Sequence, residues 1–232
     1  MGRIRGLSPQ IAENLGRQIV AGTIAEGESF RLQDIGESFS VSVTVAREVM
    51  LALQNKGLVQ GRPRRGITVL PRDSWDLLDA DILQWHDNHL GPIIADLEES
   101  RELIEPWAAR TAAQSGSTAH IELCRQAMEN LVAATDLGNT AAMTDADLAF
   151  HRALLKASGN SIIAQIGRVI EPALKRRDEL TMRDRKKEDL TFLPLHEAII
   201  SAIERRDPEG ASVAALRLIR ESGTDSAEAF KQ

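Results

Sequence analysis

At 232 residues the chain has room for one large domain or two modest ones, and a hydrophobic content of 43% suffices for a core. Cys124, the single cysteine, excludes an internal disulfide and a cysteine-rich zinc site, and it fits a reducing compartment. The absence of tyrosine leaves little for an aromatic base-stacking platform. Neither a signal-peptide pattern nor an apolar run of about 18 residues is present, so the expected location is cytoplasmic, with no membrane span. The net charge of -6 is unevenly split: residues 1–72 hold 10 Lys+Arg against 6 Asp+Glu, and residues 73–232 hold 18 against 28. A basic head on an acidic body suggests two parts with separate jobs, although blocks of this size also differ by a few charges by chance.

Residues 11–21 (IAENLGRQIVA) place apolar side chains at 11, 15, 19 and 20 on one helical face. Ser8 is the expected N-cap and Pro9 the first helical residue, with Gly22 closing the helix. A short helix over 33–39 follows, then a tight turn ending at Val41-Ser42, then a helix over 44–53 with Gly57 as its left-handed C-cap. Residues 58–59 and 67–69 are β-prone and flank Gly61-Arg62-Pro63-Arg64-Arg65-Gly66, a turn loaded with positive charge. Three helices and a basic hairpin in this order predict a winged helix-turn-helix over residues 1–70. The helix over 44–53 would enter the major groove of double-stranded DNA, and the wing would touch phosphates or the minor groove. Arg47 can reach a phosphate or a guanine edge, and Thr44, one turn earlier, a phosphate or a thymine methyl. Arg62, Arg64 and Arg65 arm the wing, and Gly66 permits its turn.

Pro71-Arg72-Asp73 opens a linker and hooked segment over 71–91, in which WDLLDADILQW carries Leu77, Leu78, Ile82, Leu83 and Trp85. Strand signals then vanish. Helical patterns run over 92–115, 118–135, 139–157, 160–187, 189–206 and 208–230, with breaks at 91–92, 115–117, 138–139, 158–160, 190–194 and 207–208. Joined by short turns, they predict an all-α antiparallel bundle over 92–232, so the chain as a whole is mainly α. Arg176, Arg177 and residues 183–187, interleaved with Asp178, Glu179, Asp184, Glu188 and Asp189, read as a solvated helix face.

Asp147 and His151 stand four apart, one turn apart on one face of a helix, and His196 begins another (PLHEAII). Facing helices of a bundle can bring such side chains into one site. A carboxylate with imidazoles suits Zn²⁺, Ni²⁺ or Mn²⁺, while an Asp–His pair at the spacing of Asp147 and His151 is by itself more often a local hydrogen bond than a metal site. Arg101, with Leu97, Leu103, Ile104 and Trp107 around it, is either a bidentate reader of a carboxylate or a surface partner of Glu98 or Glu105. Thr181 and Ser222 are candidate hydroxyl contacts to a polyol. His86, His89 and His120 fall in or near connecting segments, and Cys124 reads as a small buried residue.

The order of Gly22 and Gly27, FSVS at 39–42, AREVM at 46–50, NKGLV at 55–59 and RRGITV at 64–69 resembles the GntR superfamily of bacterial transcription regulators. The resemblance extends through PRDSWDLLDADILQW to the C-terminus and is close to the FadR-like subgroup, whose C-terminal half is an all-helical FCD effector domain. LLDADILQW is most similar to regulators of sugar-acid metabolism, D-galactonate-responsive repressors among them. The resemblance implies a homodimeric repressor that leaves its operator when a small carboxylate or sugar acid binds the bundle. It also implies that Arg101 faces that ligand. The family pattern supplies an aspartate and three histidines to a metal; Asp147, His151 and His196 match, whereas Leu218 stands near the place of the third histidine. Water or a bound carboxylate would complete that shell, or the site takes an organic anion directly. Two departures remove DNA contacts: Val43 stands where the family has an arginine after Val-Ser, and Phe30-Arg31-Leu32-Gln33 replaces a proline-serine-glutamate segment. Two other readings remain open. One is a metal-dependent enzyme acting on a small carboxylate at Asp147, His151 and His196, although no nucleophile elbow or phosphate loop accompanies them. The other is an effector-independent DNA-binding protein whose bundle serves only to dimerise.

Overall fold

The computed structural model describes residues 6–62, 66–86, 90–181 and 192–229. Arg64, Arg65, His89, residues 182–191 and the side chain of Thr181 lie outside the described residues. The chain folds as two compact units, residues 1–89 and 90–232.

In the first unit α1 (Leu7–Val20), α2 (Leu32–Phe39) and α3 (Val43–Asn55) surround a small sheet of β1 (Ser29–Phe30), β2 (Val59–Arg62) and β3 (Gly66–Val69). Local chemistry sets the helix ends. At the end of α1, Gly22 (φ 74) lets its own N–H reach the Ile19 carbonyl and that of Thr23 reach Gln18, a Schellman closure. Gly57 (φ 72) closes α3 in the same way. The Ser42 hydroxyl accepts from the Val45 N–H at the start of α3, and Asp34 of α2 accepts from the Arg31 N–H at 2.6 Å. One expectation fails here: α1 begins at Leu7, after Gly6, so Ser8 is helical and forms no cap. Pro9 lies in the first turn, where a missing N–H costs nothing.

The wing is larger than the predicted hairpin. β3 is the central strand, antiparallel to β2 with Val59 opposite Val69 and Arg62 opposite Gly66. It also pairs with β1, with Phe30 opposite Ile67. A strand of two residues carries no readable periodicity. Residues 71–85, read as linker and hook, pack into this unit. After a 3-10 turn at Arg72–Ser74, α4 (Ala80–Trp85) contributes Ile82 and Trp85 to the core of Ile11, Leu15, Ile19, Ile35, Val49, Leu53 and Ile67. The Trp85 ring lies so close over Gly16 that a Cβ there would overlap it. Lys56 Nζ ties α3 to α4, reaching Asp79 Oδ1 at 2.7 Å and Asp81 Oδ2 at 2.8 Å.

The second unit is all helical: α5 (Gly91–Ser115), α6 (Thr118–Asp136), α7 (Thr140–Ala157), α8 (Ser161–Thr181), α9 (Phe192–Glu204) and α10 (Pro208–Ala229). Neighbouring contacts run between α5 and α10, α6 and α7, α9 and α10, and α7 and α8. Ser117, Asn139, Asn160 and Asp207 accept the free N–H groups of the first turns of α6, α7, α8 and α10. The expected break at 190–194 ends before Pro194, which sits in the first turn of α9. Ala109, Leu131, Phe150, Leu154, Ile199, Ile203 and Leu218 fill the core. Burial of Cys124 pushes its thiol up to about 12, as befits a small buried residue.

Candidate effector site and DNA-facing surface

Four helices of the second unit direct charge into one buried cluster. Glu98, Arg101 and Glu105 lie on one face of α5 at i, i+3 and i+7, Asp147 and His151 on α7, Arg177 and Asp178 on α8, and His196 on α9. Among the described residues, these are all the buried charged side chains and buried histidines of that unit. Arg101 Nε donates to Glu105 Oε1 at 2.6 Å and its Nη1 to Glu98 Oε2 at 3.0 Å. Arg177 Nη1 donates to Glu98 Oε1 at 2.8 Å, and Nε and Nη2 both donate to Asp178 Oδ1, at 2.8 and 2.6 Å. Buried ions persist only when paired and hydrogen-bonded, which explains the density of this network.

Four carboxylates face two guanidiniums here, so with neutral imidazoles the cluster carries a formal excess of two negative charges. Its titration reflects that imbalance. Burial raises the Glu105 carboxyl, but Arg101 and His151 outweigh it and hold it well below the usual range. Burial likewise raises Asp147, and His151, His196 and Arg177 bring it down. Asp178 goes the other way: burial lifts it, Arg177 pulls it down, Asp147 lifts it again, and it ends at about 6.

Asp147, His151 and His196 bring ligand atoms within 4.8 Å of one another. His196 Nδ1 donates to the Phe192 carbonyl at 2.8 Å, so in the neutral ring Nε2 keeps its lone pair. That Nε2 is buried without a hydrogen-bond partner among the described residues, 3.0 Å from Asp147 Oδ1. His151 donates through Nδ1 to Glu105 Oε2 at 2.7 Å, and its Nε2 stands 3.5 Å from Asp147 Oδ2. Outer acceptors thus fix both rings with Nε2 inward, the arrangement found behind metal-bound histidines. Two nitrogen lone pairs, a carboxylate and an excess of two negative charges fit a divalent cation. Arg101 Nη2 lies 3.1 Å from the same His151 Nε2. The core side chain Leu218 offers no fourth ligand. Phe150 holds the rings in place, with its centroid 4.7 Å from that of His196 in an edge-to-face contact.

The structure thus brings Arg101, Asp147, His151 and His196 together, and it corrects three expectations around them. Leu103 and Trp107 are exposed rather than packed around Arg101. Arg101 does pair with Glu98 and Glu105, but in the interior, not on the surface. Arg177 and Asp178 are 5% and 1% exposed, so that stretch of the charge run is not a solvated face. The sequence holds a signal for this: Ile170, Ala173 and Leu174 form a buried stripe, and Arg177 is its next step at i+3 and i+7. The Ser222 hydroxyl donates to the Leu218 carbonyl at 2.8 Å.

On the first unit, Thr44 and Arg47 are exposed near the start of α3, as are Val43 and Glu48. Arg62 is exposed on β2, where Gln60 accepts from its Nη2 at 3.0 Å, and Gly66 (φ 86) turns the wing. A Cβ at Gly66 would press on the Phe30 carbonyl, so strand pairing as well as turn geometry demands glycine there.

The family model described as bacterial regulatory proteins, gntR family, matches residues 7–69, and that of the FCD domain matches residues 96–221. The galactonate operon transcriptional repressor of Escherichia coli (strain K12) is 31% identical over 216 residues, covering 92% of this chain and 93% of that protein. This chain belongs to the gntR family, in the group that carries an FCD domain. The HTH-type transcriptional repressor NanR of E. coli (strain K12) is 29% identical to this gntR-family chain over 209 residues, covering 88% of the chain and 78% of NanR. Among solved structures, Lar, which controls the agr system of Listeria monocytogenes, shares the fold with a TM-score of 0.70 at 16% identity, covering 98% of this chain and 99% of Lar. A Streptococcus agalactiae GntR has a TM-score of 0.52 at 24% identity, covering 94% of this chain and 99% of its own. The gntR-family protein is accordingly a ligand-responsive DNA-binding transcription regulator, and its relatives are named as regulators rather than enzymes. Among the described residues no helix is long and apolar enough to cross a membrane.

Proposed function

We propose that this protein is a cytoplasmic, homodimeric repressor of a sugar-acid operon, released from its operator when a galactonate-like carboxylate enters the buried cluster of the FCD domain. The observation that carries the reading is that cluster: two arginines, inward-facing histidines and Asp147, all buried among the helices of one unit. Arg101 and Arg177 suit the acid group of the effector, since guanidiniums read carboxylates in a planar, bidentate way. Asp147, His151 and His196 would hold a divalent metal, Zn²⁺, Ni²⁺ or Mn²⁺, which when bound offers open positions to effector oxygens in place of a fourth protein ligand. Thr181 and Ser222 are the proposed contacts to effector hydroxyls. Thr44, Arg47, Arg62, Arg64, Arg65 and Gly66 form the proposed DNA-reading set, and Val43 implies operator preferences shifted from those of relatives with arginine there. Exposed Leu123 lines a groove of α6, α7 and α8 whose alanine floor is flanked by Arg152, Lys156 and Arg168, a surface open to a second copy of the chain.

The mechanism is linkage. An effector that binds one arrangement of the bundle more tightly shifts the dimer away from the geometry in which two heads match two half-sites. Reciprocally, operator DNA must weaken effector binding by the same factor. The test is fluorescence anisotropy of labelled DNA from the gene's upstream region, titrated with a panel of aldonates and simple carboxylates. Release by one sugar acid is the expected result. Tight DNA binding that no acid alters would overturn the reading.

A further inference from the structure

Glu98 is a third carboxylate on a pair of arginines that already have two. Arg101 has Glu105 at 2.6 Å, and Arg177 has Asp178 at 2.6 and 2.8 Å. Glu98 bridges the two guanidiniums with one oxygen on each, at 2.8 Å from Arg177 Nη1 and 3.0 Å from Arg101 Nη1. Its side chain is 10% exposed, against 6% or less for every other member of the cluster, so it is the group nearest solvent. The position facing it on α10 is Gly223, where even an added Cβ would come no closer than 3.9 Å to Glu98 Cγ. Gly223 sets no side chain of its own against Glu98, whose side chain has the most access to water in the cluster and therefore the shortest way out.

We propose that Glu98 is an internal stand-in for the effector's acid group. It occupies the anion subsite between Arg101 and Arg177, and an incoming small carboxylate takes its place while Glu98 turns to water. This rests on the cluster being the effector site, as argued above. The charge balance favours exchange over addition. The cluster has two more carboxylates than guanidiniums, and a divalent ion at Asp147, His151 and His196 would only neutralise that excess, so a further anion would still leave net negative charge in a desolvated site unless one left. Exchange leaves the count unchanged, and each arginine keeps its private partner throughout. Exchange also sets a threshold for the effector, because it must displace two charge-assisted hydrogen bonds before it can bind.

The test is isothermal titration of the full-length protein with galactonate, using wild type and Glu98→Gln. Neutral glutamine keeps the shape of the side chain but competes weakly for the arginines. The variant should bind galactonate about tenfold more tightly and release operator DNA at correspondingly lower galactonate. Unchanged or weaker binding by a variant that melts like wild type overturns the exchange while leaving the effector site intact. If Glu98→Gln does not fold, Glu98→Asp, too short to reach both arginines, should bind more tightly than wild type, and weaker binding again overturns the proposal. Galactonate binding by the variant alone supports a stand-in that holds the wild-type site shut. Silence from both proteins overturns the effector reading and the exchange together.

Discussion

Replacing Asp178 with asparagine should stabilise the chelator-treated protein at neutral pH and do little in mild acid. The carboxyl is buried on α8, with Oδ1 accepting from Arg177 and Oδ2 without a hydrogen-bond partner among the described residues. Burial first, then Arg177 in opposition and Asp147 in support, leave it raised from 3.8 to about 6. A carboxyl raised on folding contributes stability fully below its unfolded value and loses that contribution as pH rises through its folded value, here between 3.8 and about 6. At about 1.4 kcal/mol per pKa unit, ionised Asp178 costs the fold up to about 3 kcal/mol above that window. Asparagine retains an acceptor for Arg177 and carries no charge, but it weakens a charge-assisted bond, so the expected gain is about 1–3 kcal/mol near pH 7.5 and close to zero near pH 4. Urea titrations followed by circular dichroism at both pH values measure the difference. A variant no more stable than wild type at neutral pH, or one whose advantage is the same at both values, refutes the reasoning.

Gly16→Ala should cost about 1–3 kcal/mol, because the new methyl overlaps the Trp85 ring; a thermal melt reads the loss and tryptophan fluorescence the displaced ring. Phe150→Ala removes a fully buried ring that supports His196 and should cost about 3–5 kcal/mol in chemical denaturation, with weaker Zn²⁺ binding in a chelator competition. Arg62→Ala should weaken operator binding and lower the slope of log affinity against log salt by about one. Arg47→Ala should cost about 1–3 kcal/mol of operator affinity in the same anisotropy assay if it reads a guanine edge, and unequal losses across base-substituted operators would identify that base.

Much of the architecture is legible in the sequence because it rests on local rules. Gly22 and Gly57 end their helices where left-handed residues are needed, and the long apolar periodicities of the second unit give α5, α6, α7 and α10, the start of α8 and the end of α9 to within a few residues. What escapes is decided by tertiary contact. β1 exists only because β3 presents an edge to Ser29 and Phe30, and 71–85 looks like linker until Trp85 meets Gly16. In the candidate site, the i,i+4 spacing of Asp147 and His151 is readable, as is His196 at the start of its helix. The arginine–carboxylate network is harder to see. Charges in sequence usually mark solvent, and only their position on a buried stripe, as with Arg177 after Leu174, tells otherwise. Glu98 and Glu105 look like ordinary helical ion-pair partners of Arg101 until their second bonds appear, from Glu105 to His151 of α7 and from Glu98 to Arg177 of α8.

The most direct measurement is operator release by galactonate, followed by anisotropy, in wild type and His196→Ala. His196 lies in the FCD domain, distant in sequence from the DNA-reading helix, so the account predicts equal operator affinity for the two proteins without effector. It predicts that the variant needs about tenfold or more galactonate for half-release, since the inward Nε2 beside Asp147 is gone. Identical release curves for the two proteins would contradict the claim that this buried cluster is where the effector acts.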